Sequence, residues 1–314
     1  MNRRLQADLS LVLCSIMWGA TFVIVKDALL DSSALVFMAV RFTLGALLMA
    51  PLYRRALREM DRAELWAGVI CGASLFGGFV FQTQGLVTTT ASKGAFITGA
   101  SVAMVPILLL VFWRRSTSVA VWAGVVAAFV GVYLLTVPSG AKQSLVIGDF
   151  LVLIGSVSFA LQIIFVSLYG ARHSAGAIGF LQIATVATLS LCALPIAEVT
   201  HVQAPRLHLS TMFVAAVLIT AVFTTAVAFT VQVWAQQFTA ATHAALIYAL
   251  EPVVTAVTSR IFQGEHLGRR ALCGAALILI GIVLAEIKGS AALPHAAGEK
   301  FEEQAAEPLG GPPA

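Results

Sequence analysis

Apolar runs about as long as a bilayer's hydrocarbon core is thick recur ten times through this sequence. Their approximate limits are 8–30, 33–53, 63–86, 91–113, 118–137, 148–169, 175–198, 210–236, 240–262 and 268–287. In lipid the backbone must satisfy its own polar groups, so runs of this length read as helices. The expected fold is therefore all-α and integral to the membrane, with ten transmembrane helices. Charge agrees: 11% of the residues are Asp, Glu, Lys or Arg, against about 25% in soluble domains. With 59% of residues hydrophobic, no water-soluble fold could hide the apolar surface.

The first run follows Arg3-Arg4, as in a signal peptide, but it continues to about Leu30 with no small-residue cleavage site. It reads as the first membrane helix. The four cysteines (Cys14, Cys71, Cys192, Cys273) all fall inside apolar runs, with no CxxC pair and no zinc spacing. No metal or cofactor is expected. The net charge of +4 comes from scattered Arg flanking the spans rather than from a basic tract, which fits a bilayer better than nucleic acid.

The runs repeat. Residues 90–135 align without a gap on 240–285 at an offset of 150, matching Ala91 with Ala241, Ile97 with Ile247, Gly124 with Gly274 and Gly131 with Gly281. The same offset pairs Phe79 with Phe229 and Gln82 with Gln232. Earlier helices repeat at an offset of 141, pairing Asp8 with Asp149, Ser15 with Ser156, Trp18 with Phe159 and Arg41 with Gln182. Five spans is an odd number, so the second copy enters the membrane upside down. The expected organisation is two inverted five-helix repeats, 1–137 and 148–287, followed by a tail, 288–314, rich in Ala, Gly, Pro and Glu and expected to be disordered. Arg3, Arg4, Arg54, Arg55, Arg58, Arg62, Arg114 and Arg115 all fall on the N-terminal side. The positive-inside rule then puts both termini in the cytoplasm. Short loops suggest a bacterial inner membrane.

Several stretches resemble the EamA-type branch of the drug/metabolite transporter superfamily. They are Ser15-Ile-Met-Trp-Gly-Ala-Thr-Phe22, Val40-Arg41-Phe42, Gln84-Gly85-Leu86, Ala91-Ser-Lys-Gly-Ala-Phe-Ile97, Leu250-Glu251-Pro252 and Gly264-Glu265. The glycine-spaced helix Gly124–Leu135 also fits, and the resemblance covers residues 8–287. It implies a central cavity lined by spans 1, 3, 4, 6, 8 and 9, with spans 5 and 10 serving packing or homodimer contacts. It further implies transport of amino acids, other small metabolites or drugs, commonly outward. One departure stands out: where the family often has Gly-Glu after span four, this chain has Trp113-Arg114-Arg115.

Polar residues inside spans mark candidate sites, because ionisable groups in lipid are expensive and face a cavity or a partner. Glu251 precedes Pro252, which breaks the helical ladder, and is the candidate for proton coupling or for a substrate amine. Arg41 would meet a substrate carboxylate or act as a structural counter-ion, and the second reading is preferred because span two is not expected to line the cavity. Gln82, Gln162 and Gln232 offer amide donors and acceptors to a polar solute, and Trp18, Phe96 and Tyr248 would form apolar walls. Lys93 and His243 are repeat-equivalent at opposite faces, as candidate gates or as snorkelling residues. Pro106 and Pro252 are not equivalent, which predicts a bend at a different depth in each half.

The expected function is secondary transport of a small amphipathic metabolite by alternating access, working outward. Proton coupling, exchange and facilitated diffusion remain alternatives, as does a channel-like permease. The chain has no Walker motif, and no HExxH or GxSxG pattern favours an enzyme.

Overall fold

The structure, a computed structural model, describes residues 3–136, 146–201, 203–263 and 268–289. Among the described residues every regular element is helical; Ser32 and Leu207 form a single isolated β-bridge. In chain order the helices of the first half are α1 (Arg3–Asp31), α2 (Ala34–Leu52), the short α3 (Arg54–Glu59), α4 (Arg62–Leu86), α5 (Ala91–Gly99), α6 (Ser101–Trp113) and α7 (Val119–Thr136). Those of the second are α8 (Ile147–Gly170), α9 (Ala175–Val199), α10 (Thr211–Ile219), a π-helical segment (Thr220–Val227), α11 (Ala228–Gln236), α12 (Ala241–Tyr248), α13 (Glu251–Gln263) and α14 (Arg269–Gly289). Among the described residues eight rods, against the ten spans expected, are long and apolar enough to cross a membrane, counting α5–α6, α10–α11 and α12–α13 as one rod each. Val119–Leu135 is a shorter apolar helix. Helix α14 runs to Gly289; the tail beyond it, like Gly264 and Glu265, lies outside the described residues.

Contacts between helix ends sort the bundle into two faces. On one, the Ser174 amide donates to Glu64 Oε1 and Gln237 donates to the Gly170 carbonyl, so α4, α8, α9 and α11 meet there. On the other, Lys26 donates to the Leu86 carbonyl, Gln203 to Gln84 and Ser210 to Asp31. Among the described residues, five helix starts are closed by a side-chain oxygen that accepts from the third residue on: Asp61, Thr90, Ser118, Ser174 and Ser210.

The predicted difference in bending depth is wrong. Both halves interrupt the helix at the same repeat position, with the Ala100 amide bonded to the Ile97 carbonyl (3.1 Å) and the equivalent Leu250 amide to the Ile247 carbonyl (3.0 Å). These are i to i−3 bonds, a tightened turn of 3₁₀ type. Proline does not decide the place. Pro106 sits inside α6, which continues to Trp113, whereas Pro252 occupies the first turn of α13, where a missing N–H is tolerated. Arg114, aligned with Gly264, ends α6 at φ 50°, the left-handed conformation that favours glycine at this position. The family's glycine after span four thus has a backbone reason here even though the residue is Arg.

The glycine stripes of α7 and α14 face each other. A Cβ on Gly274 would stand 2.4 Å from the Gly131 carbonyl oxygen, and one on Gly281 would stand 2.6 Å from that of Gly124. Small residues let the two backbones approach, the main way helices bind one another in lipid. Gly274→Val should therefore separate α7 from α14, lowering the detergent-solubilised melting temperature and the folded yield. The cost should be about 1–3 kcal/mol, as for other overpacked sites. An unchanged melting temperature would contradict this packing.

Candidate functional site

A cavity of about 720 Å³, its open mouth included, lies among α1, α2, α4, α5, α6, α8 and α11–α13. These are the helices implied by the resemblance, with α2 added. They converge for steric reasons. At Gly19 on α1 a Cβ would stand 2.5 Å from the Glu251 carbonyl oxygen, and Thr255 donates to the Gly19 carbonyl at 3.0 Å. At Gly78 on α4 a Cβ would strike the Phe159 ring.

The walls are aromatic. Trp18 lies 5.2 Å from Phe229 and 5.3 Å from Tyr248, centroid to centroid. Phe79 lies 5.1 Å from Phe159 and 5.9 Å from its repeat mate Phe229. These tilted and edge-to-face pairs expose ring faces and edges to the space between them. Phe96 does not belong to this wall. It packs 6.3 Å from Tyr133, among residues of α6, α7, α12, α13 and α14, because it projects from α5 away from Thr98, which does line the cavity.

Amides form the polar floor. Gln162 Nε2 donates to Gln182 Oε1 (3.0 Å) and to Gln232 Oε1 (3.1 Å), and Gln82 donates to Thr98 Oγ1 (2.9 Å). Gln162 and Gln232 therefore bind each other as well as facing the cavity, so helix gluing and solute contact are both available to them.

Two charged groups complete the lining. Arg41, only 5% exposed, stands in the cavity wall, against the expectation that span two keeps away from it. Its Nε donates to Thr225 Oγ1 and its Nη2 to Thr224 Oγ1, both at 2.9 Å. Its guanidinium carbon lies 5.0 Å from the Phe42 ring centre and 5.1 Å from that of Phe79. Glu251 lines the same cavity from the first residue of α13. Among the described residues no ion pair joins the two, so neither serves as the other's contact counter-ion.

Lys93 and His243 lie outside the cavity, each against an aspartate of the opposite half. Lys93 Nζ lies 2.5 Å from Asp149 Oδ2, and Thr89 donates to Asp149 Oδ1 at 2.8 Å. His243 Nε2 lies 3.6 Å from Asp8 Oδ1, and Thr239 donates to the same oxygen at 2.7 Å. Thr89 and Thr239, Lys93 and His243, and Asp8 and Asp149 are each repeat mates. The same three-residue cluster thus stands at both faces, and Lys93 is paired rather than snorkelling. Arg4 adds a cation at 3.9 Å from Asp8.

Several of these residues escaped sequence reasoning. The Asp8–Asp149 match was visible, yet nothing in it told which side chain each carboxylate would meet. Thr224 and Thr225 carried no signal, since hydroxyls in membrane helices usually bond their own backbone one turn back, as Thr224 also does to the Thr220 carbonyl.

Comparisons with known proteins agree with this architecture. A family model described as the EamA-like transporter family matches residues 5–137 and 146–286. A protein from Archaeoglobus fulgidus, named an uncharacterized transporter, is 33% identical over 286 residues, covering 91% of this chain and 87% of its own length. The uncharacterized transporter YvbV of Bacillus subtilis is 28% identical, covering 93% and 94%. A solved crystal structure, 16% identical, matches with a TM-score of 0.71 over 91% of this chain and 98% of its own, a likeness of fold alone.

Proposed function

This chain belongs to the EamA-like transporter family, and on that premise we propose that it is a secondary transporter exporting a small zwitterionic metabolite with an apolar side chain. The observation that carries the reading is the pairing of a guanidinium and a carboxylate, not bonded to each other, in the wall of one aromatic cavity. A net-neutral solute with separated charges answers both: its carboxylate toward Arg41, its amine toward Glu251, its side chain among Trp18, Phe79, Phe159 and Phe229. Burying either pole without a partner would be costly, which disfavours purely apolar solutes.

In this reading the protein has ten spans in two inverted repeats, 1–137 and 148–287, with both termini cytoplasmic. The halves rock about the cavity, as repeat-built transporters do. The aspartate clusters at Lys93 and His243 act as closures of the two faces, each joining one half to the other. Glu251 exchanges a proton for the solute amine, so the proton gradient drives export. Uptake into inverted membrane vesicles, with a labelled panel of amino acids and related metabolites, tests this directly. Gradient-dependent accumulation of a zwitterion is expected. Equilibration without accumulation would indicate a facilitator, and uptake confined to uncharged solutes would refute the charge-pair reading.

A further inference from the structure

The π-helical segment Thr220–Val227 interrupts one of the cavity helices, and three groups from outside converge on it. The Trp18 indole donates to the Thr224 carbonyl at 3.1 Å. The Arg41 guanidinium takes both Thr224 and Thr225 hydroxyls. Gly45, on the same helix as Arg41, leaves room for Thr225, whose Cγ2 would stand 2.7 Å from a Cβ there. Thr224 and Thr225 are themselves wholly buried.

The geometry of the segment explains how adjacent residues can serve one guanidinium. Neighbouring side chains on an α-helix stand about 100° apart around the axis. A π turn, closing i to i+5, is wider and brings neighbours closer to one face. Two consecutive hydroxyls then reach the same planar group. Local π geometry within α-helices recurs at functional sites.

The donors also leave a remainder. A guanidinium carries five N–H groups, and the threonines take one from Nε and one from Nη2. Phe42 and Phe79 stand near the guanidinium as π partners, and hydroxyl dipoles supply no net negative charge. Arg41 is more than nine-tenths buried and lines the cavity, and among the described residues no carboxylate is in contact with it. A cation held this way at membrane depth requires an anion from somewhere, and the cavity is the space its free donors adjoin.

From this we infer that Thr224 and Thr225 are positioning residues that hold Arg41 as a receptor for a planar oxyanion, the carboxylate of the carried solute. The inference rests on the transport reading above and deepens it by naming the residues that aim Arg41 and by making the solute's carboxylate obligatory. Fixing Nε and one edge of Nη2 aims the remaining fork, the geometry that suits a carboxylate's two oxygens. Trp18, anchored on the same segment, sets the wall beside that fork.

The test is ligand binding to the purified full-length protein in lipid nanodiscs, read by thermal stabilisation. The probes are amino acids, each paired with its C-terminal amide, with 2-oxo acids and inorganic phosphate as further anions. At least one carboxylate is expected to bind, with its amide weaker by about tenfold or more, the value of a charge-assisted hydrogen bond. The double variant Thr224→Val with Thr225→Val should bring acid and amide together, while Thr224→Ser with Thr225→Ser keeps them apart. Arg41→Lys, which keeps charge but loses the fork, should also erase the preference, and serves if the valine variant does not fold. Equal binding of acid and amide by the unaltered protein, a preference that survives in the valine and lysine variants, or no binding by any anion would overturn the inference. Phosphate binding in place of every carboxylate would overturn the carboxylate assignment. Selective binding without any transport in vesicles would instead refute the transport reading and leave this site standing.

Discussion

Glu251→Gln is expected to abolish gradient-driven accumulation and to leave solute exchange running at a raised KM. Gln keeps the shape and an acceptor oxygen but carries no charge and no titratable proton. The amine of the solute then loses a charge-assisted bond, which raises KM about tenfold, while coupling to the proton gradient is lost outright. The split between the two readouts is the diagnostic part, because a variant that merely misfolds loses both. Full gradient-driven accumulation by Glu251→Gln would remove Glu251 from the coupling role.

Asp149→Asn is expected to be the most destabilising single change at the faces. Asp149 is 4% exposed and accepts from Lys93, Thr89 and the Val146 amide. Removing the charge leaves the Lys93 ammonium, whose side chain is 18% exposed, without its counter-ion. Breaking a buried pair in this way typically destabilises by about 3 kcal/mol. The double variant Asp149→Asn with Lys93→Met removes both charges and should recover much of the loss, since neighbouring residues do not contribute additively. Asp8→Asn should have a smaller effect, because its neighbours stand farther off, the His243 ring nitrogen at 3.6 Å and the Arg4 guanidinium at 3.9 Å. Thermal unfolding of these three variants and of Lys93→Met alone, in detergent, decides the matter. Additive losses at Asp149 and Lys93 would mean that they do not act as a pair.

Much of the architecture was legible because lipid imposes it. Apolar runs of bilayer length gave the helical membrane class, although eight rods among the described residues reach spanning length against the ten runs expected, and the offset of 150 relates the two helix interruptions. Helix rotation was less legible. A soluble helix shows its buried face as an apolar stripe, but here lipid and protein interior are equally apolar, so α2 gave no sign that Arg41 faces the cavity. For the same reason Phe96, in a motif stretch of α5, gave no sign that it turns toward Tyr133. Trp18, Gln82, Gln162, Gln232, Tyr248 and Glu251 do border the cavity, since polar or amphipathic groups that deep in lipid have few other places to go. Proline proved a poor guide to the helix breaks. Their position follows the duplicated backbone, at Ala100 and Leu250, and not the prolines. The π segment is invisible to periodicity, because its eight residues are too few to shift the pattern of the 211–236 run.

The central claim is that one cavity is reached from the two faces in turn. Ser101 lines that cavity and is the repeat mate of Glu251, so Ser101→Cys, with Cys14, Cys71, Cys192 and Cys273 replaced, places a single thiol at its middle. Membrane-impermeant thiol reagents applied to right-side-out and to inverted vesicles should both label it, and a transported solute should slow labelling from either side. Labelling from one face alone under every solute and gradient condition would contradict alternating access.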